Sequence, residues 1–274
     1  MASSTIGVGG KTAVKPCARE QTTFAARELK KLGGMAAVVK MFRLPGLDMK
    51  ELAGLVLANI TGEGDAHCRA FLDVETAAVC ALVESAGDDR GKVRDLGSKI
   101  LANVSAVEDP EQLKHFSRAF SVNGGFKAFF DHLPKGKKEL QGNVAYAMGN
   151  FASEDDQVCS EILRVNGFQH LVKLFKSPDP EVCDSAVTAI ANCLEGATSS
   201  EAACELTALG VAPLLCQILQ EKLSEQRSAP KGQEQEGCAV AAAAAAAHGS
   251  KGRTEGDAVH QLGNGLVHIK LVLS

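Results

Sequence analysis

Four asparagines of this chain share one local setting. Asn59 lies in "LANI", Asn103 in "LANV", Asn150 in "MGNF" and Asn192 in "IANC", at intervals of 44, 47 and 42 residues. An asparagine amide carries two donor hydrogens and a carbonyl acceptor, so a row of them can turn outward to bind a ligand. The same groups can instead bond the backbone of a neighbouring repeat and fix how repeats stack, because most side-chain hydrogen bonds go to backbone or water. Asparagine is a poor residue for a helix interior, so its return at one register calls for one of these two reasons.

Other residues that could do chemistry form no such set. "GVGGKT" (7–12) ends like a phosphate-binding loop, but Thr5 stands where the first glycine belongs, and neither a strand before it nor a helix after it is evident. His67 adjoins Cys68, yet no further ligand sits at zinc spacing, and His170 reads as a surface or core-edge residue. Asp155 and Asp156, like Asp88 and Asp89, fall at expected helix starts or loops, where acids favour the macrodipole. No G-x-S-x-G elbow occurs. The chain is therefore expected not to be an enzyme and to carry no cofactor or metal.

The elements that must position the asparagines follow from a second landmark. Gly34, Gly125 and Gly167 each precede an asparagine by 25 residues, while Ala78 occupies that place in the second unit. Two landmarks at a fixed offset mark an internal repeat. In the fourth unit, "EDDQVCSEILRVN" puts Val158, Ile162 and Leu163 on one helical face and stops at Asn166-Gly167, where glycine tolerates the left-handed conformation. "FQHLVKLFKS" buries Phe168, Leu171, Val172, Leu174 and Phe175. Pro178 and Pro180 then break the chain, and "EVCDSAVTAIANCLEG" forms a longer third helix that ends at Gly196. The other units read alike. Small residues stand before each asparagine (Ala58, Ala102, Gly149, Ala191) and allow close helix approach. Leu57, Leu101, Met148 and Ile190, one place earlier, read as core knobs.

This three-helix unit of about 42 residues resembles the armadillo repeat over roughly residues 19–221. The resemblance implies an all-α, right-handed armadillo-type α-α superhelix of about four and a half repeats, with residues 1–18 as a flexible segment and 222–274 as a low-complexity or atypical tail. HEAT repeats are the near alternative. In armadillo proteins the third helix lines a concave groove, so the resemblance implies a protein-binding row of Asn59, Asn103, Asn150 and Asn192. One turn earlier stand Leu55, Lys99, Tyr146 and Thr188, and two turns earlier Glu51, Asp95, Gly142 and Asp184. The acids Glu51, Asp95 and Asp184 would weakly favour a basic ligand. The pattern is importin-α-like without its tryptophans: the positions four before each asparagine hold Leu, Lys, Tyr and Thr, and the chain has no Trp. Only Tyr146 offers an aromatic face to a cation there, which argues against binding of nuclear-import cargo.

Bulk properties agree with this reading. Apolar residues make up 45% and aromatics 4%, with a single tyrosine, a balance that suits packed helices better than a sandwich. A net charge of −4 gives no basic field for nucleic acid. The nine cysteines show no C-x-x-C and read as reduced core residues of a reducing compartment. No run of 18 apolar residues suggests a membrane span. The start lacks a secretory h-region, and a mitochondrial leader is a weak alternative because arginine is absent before Arg19. In the tail, "CAVAAAAAAAHG" suits a small helix and "VHQLGNGLVHIKLVLS" a hairpin. The expected function is a monomeric scaffold or adaptor, cytoplasmic with the nucleus as a second location, whose groove takes a segment of a partner protein. An Hsp70-type co-chaperone gripping a folded lobe, a nuclear-import adaptor and a piece of a larger scaffold are the alternatives.

Overall fold

The computed structural model describes residues 33–196 and 200–228. The expected first helix of the first unit (20–32), the segment 1–18, the phosphate-loop-like stretch 7–12 and the tail elements beyond 228 lie outside these residues.

Thirteen helices occupy the described chain. Helices α1 (Met35–Arg43) and α2 (Leu47–Thr61) are the second and third helices of the first unit. The second unit comprises α3 (Asp65–Leu72), α4 (Thr76–Ala86) and α5 (Gly91–Ser105). The third comprises α6 (Pro110–Val122), α7 (Gly125–His132), a 3₁₀ turn (Leu133–Lys135) and α8 (Lys138–Glu154). The fourth comprises α9 (Asp156–Arg164), α10 (Gly167–Leu174) and α11 (Pro180–Gly196). Helices α12 (Ser200–Ala208) and α13 (Val211–Ser228) open a fifth.

Local chemistry sets these boundaries. Asp109 and Asp155 cap α6 and α9 by accepting from the backbone N–H of Gln112 and Gln157. Pro110 and Pro180 stand at the first helical position, where no intrahelical N–H is needed. At the Asn-Gly junction the left-handed residue is Asn166 (φ 56°), not the glycine. Gly167 serves a different need: a Cβ there would come within 2.8 Å of Ile162 and of the Phe130 ring. In the third unit Gly124 takes the left-handed turn (φ 76°), and Gly125 lies against Phe120. The second unit lacks the glycine because α4 starts earlier. Glu75 takes the positive φ (52°), and Ala78 sits fully buried inside the helix.

Third helices α2, α5, α8 and α11 pack in succession, and second helices α1, α4, α7 and α10 form a parallel row beside them. The expected knobs Leu57, Leu101, Met148 and Ile190 are all fully buried between the rows, each contributing on the order of 1.5–3 kcal/mol by leaving water. In the third unit Phe116, Phe120, Phe126, Phe129 and Phe151 form one aromatic cluster, with Phe120 and Phe126 edge to face at 5.4 Å. Helix α13 continues to Ser228, beyond the boundary expected at 221. Its last eight residues, "EKLSEQRS", are largely good helix formers, and Pro230 stands just past its end.

Candidate protein-binding groove

The third helices carry their asparagines along one side. Asn103 donates through Nδ2 to Ala58 O (3.1 Å) and Thr61 Oγ1 (2.9 Å). Asn150 donates to Ser105 Oγ (3.1 Å) and Asn192 to Gly149 O (2.9 Å). One rule covers the three. Each amide reaches the preceding third helix, at the carbonyl just before its asparagine or the hydroxyl two residues after it. Ala152 fills the hydroxyl's place in α8, so Asn192 uses the carbonyl. Asn59, in the first described third helix, is exposed and has no such bond among the described residues. The donor half of the row therefore fixes stacking, the second of the two roles the sequence allows. The acceptor half stays available: among the described residues no hydrogen bond engages Oδ1 of Asn103, Asn150 or Asn192, and none of these atoms is buried without a partner.

Positions four residues before the asparagines point outward. Leu55 and Tyr146 are 47% and 41% exposed, and Lys99 and Thr188 are exposed as well. The acidic positions behave otherwise than expected. Glu51 pairs with Lys92 at 2.7 Å and Asp95 with Lys137 at 3.0 Å. Each acid is thus paired with a lysine of the next unit; Asp184 also has a partner. The bond to Asp95 raises the Lys137 pKa, and Lys138 holds the Asp179 carboxyl below the usual range across 3.2 Å. The lysines are mostly exposed, so such pairs are worth about 0–1 kcal/mol and a ligand can displace them. Between the starts of α8 and α11 a cavity of about 380 Å³ opens, lined among others by Glu139, Gly142, Asn143, Tyr146 and Glu181.

Four contacts that hold the units in register were missed in the sequence. Asn143 donates to Ser98 Oγ (3.2 Å), repeating the asparagine–hydroxyl bond two turns down. Arg69 reaches Asp109 (3.5 Å) and Arg118 reaches Asp155 (2.8 Å), a clasp between successive first helices. Asp88, its side chain nearly buried in the loop between α4 and α5, receives Lys50 of the preceding unit at 2.8 Å and is held by Arg90 at both oxygens (2.6 and 2.7 Å). The hydroxyl two places after Asn59 and Asn103 was the one signal that could have disclosed the stacking bonds.

Among the described cysteines, Cys68, Cys159, Cys183 and Cys193 are buried, while Cys204 and Cys216 are exposed, against the expectation of core positions. Cys68 donates to the Thr61 carbonyl (3.0 Å), and burial, aided by Asp65, pushes its pKa up to about 12. Cys159 donates to the Cys193 carbonyl at 3.0 Å. His170 is half-buried at the core edge, stacked on Phe130, and burial lowers its pKa. No group of three or more His, Cys, Asp or Glu among the described residues could hold a metal.

Successive three-helix units joined through their third helices define an α-solenoid. Residues 155–194 match the Armadillo/beta-catenin-like repeat family. A designed armadillo repeat protein superposes with a TM-score of 0.64 at 19% identity, covering 93% of this chain and 91% of that one. A second, solved in complex with the peptide (KR)4, gives 0.62 at 17%, with the same coverage. An engineered protein gives 0.67 at 21%, covering 93% and 87%. No curated protein matches the chain significantly. The chain is an armadillo-type solenoid.

Proposed function

We propose that the chain is a non-catalytic scaffold that holds a segment of a partner protein along its third helices. One observation carries this reading. The row Leu55, Lys99, Tyr146, Thr188 is exposed in every unit, beside asparagine Oδ1 acceptors that the stacking bonds leave unused. A partner's backbone N–H groups would donate to those acceptors, and the exposed row would read its side chains. Each hydrogen bond contributes about 1 kcal/mol, so affinity would come from several units in series. Designed proteins of this fold are described as made for modular peptide recognition. The buried free thiols of Cys68, Cys159 and Cys193 suit a reducing compartment such as the cytoplasm.

The test is capture of partner proteins by the wild type against Asn103→Ala combined with Asn150→Ala, with unfolding followed in parallel. Lost or weakened capture by a still-folded variant supports the groove. Unchanged capture removes it. Accelerated nucleotide release from an Hsp70 that survives the double substitution would favour the co-chaperone reading instead.

A further inference from the structure

The groove is not uniform in charge. Glu139 and Glu181 line the cavity between α8 and α11 and form no ion pair among the described residues, whereas Lys138 on the same wall is tied to Asp179. Three carboxylates therefore face one ammonium. Gly142 leaves the wall open: a Cβ there would meet only Val182, at 3.5 Å. Glu139, Gly142 and Tyr146 fall on one face of α8 by their spacing, so the Tyr146 ring borders the acidic cavity. One unit earlier, Lys99 occupies the position equivalent to Tyr146, is exposed and pairs with no carboxylate among the described residues. The neighbouring acid, Asp95, is already held by Lys137.

We infer that the bound segment is bipolar, placing an arginine or lysine against Tyr146, Glu139 and Glu181 and an aspartate or glutamate against Lys99. This rests on the groove reading and adds the chemistry of the partner. The cavity takes the stem and head of a long cationic side chain, with the aromatic face and two carboxylates around it. Packed helices lie about 8–10 Å apart, and an extended chain advances about 3.3 Å per residue. Successive side chains of an extended chain face opposite ways, so the basic and acidic residues that both face the groove are separated by an even number, and two residues (about 7 Å) is nearest to that step.

Tyr146 is the only tyrosine and the chain has no tryptophan, so tyrosine emission reports on this cavity alone. The probes are five Ser/Gly peptides of equal length: Arg and Glu two residues apart in either order, Arg alone, Glu alone, and neither. One of the two bipolar orders should change the emission and bind about two- to fivefold more tightly than the Arg-only peptide. Glu139→Gln with Glu181→Gln should weaken it about fivefold. Lys99→Glu should abolish the advantage of the glutamate and transfer it to a lysine at the same place. The substituted side chains are exposed, and an unchanged helical signal confirms folding. The inference is overturned if no arginine-bearing peptide alters the emission, if both orders match the Arg-only peptide, or if the Lys99 and glutamate variants bind as the wild type does. An uncharged peptide that binds as tightly sinks the charge pattern while leaving the groove standing. Capture of native partners that ignores the asparagine substitutions sinks the groove itself.

Discussion

Asn103→Ala separates the two roles of the asparagine row. The substitution removes two hydrogen bonds to α2, to the Ala58 carbonyl and the Thr61 hydroxyl. Neither partner is orphaned: Ala58 O still accepts from Gly62 N at 3.3 Å, and Thr61 Oγ1 still donates to Leu57 O at 2.8 Å. The loss is therefore the net worth of two bonds, about 1–3 kcal/mol, without a desolvation penalty. Alanine's better helix propensity offsets this by up to about 0.7 kcal/mol. The net destabilisation is about 0.5–2 kcal/mol. Asn59→Ala supplies the control, since Asn59 bonds to nothing among the described residues; it should be neutral or stabilising by up to about 0.7 kcal/mol. Urea unfolding followed by far-ultraviolet circular dichroism measures both, with midpoints compared at matched slopes because repeat arrays can lose cooperativity. Equal stability of the two variants would refute the claim that the amides tie third helices together.

Gly167→Ala should destabilise by about 1–3 kcal/mol, because its Cβ would press on Ile162 and Phe130 at 2.8 Å; the shift in unfolding midpoint measures it. Asp155→Ala removes the cap on α9 and the clasp from Arg118, for an expected loss of about 1–2 kcal/mol, most of it from the cap. Asp88 is held well below the usual carboxylate range by its bonds from Arg90 and then Lys50. Its folded pKa lies below the unfolded value, so the unfolded state binds the proton more readily and stability rises with pH. The contribution is complete above about pH 5 and is lost as pH falls below about pH 4. Asp88→Asn should accordingly flatten the acid limb of the stability–pH curve while lowering stability at neutral pH.

Much of this architecture was legible in the sequence because it repeats. The fixed offset between glycine and asparagine placed the third helices, and the apolar residues two before each asparagine proved to be the buried knobs. The site was less legible. Side-chain type and spacing put Asn103 and Asn150 on one face, but whether an amide turns to ligand or to the next helix depends on what lies across the gap. The hydroxyls of Thr61 and Ser105, contributed by another repeat, decide that. Glu51 and Asp95 looked like ligand-facing acids for the same reason: Lys92 and Lys137 reach them only once the units stack. The glycine at the Asn166-Gly167 junction was assigned a conformational role, whereas close contact with Phe130, 37 residues away in sequence, is what excludes a side chain there.

A common groove face requires the third helices to present equivalent positions along one side. Spin labels at positions 99, 146 and 188, in a chain whose exposed Cys204 and Cys216 are replaced by serine along with any other label-reactive cysteine, measure this by electron–electron distances. Neighbouring labels (99–146 and 146–188) should be separated by similar steps on the order of 10 Å, and 99–188 by about their sum. A 99–188 distance no longer than either single step, or neighbouring steps that differ severalfold, would contradict a common groove face.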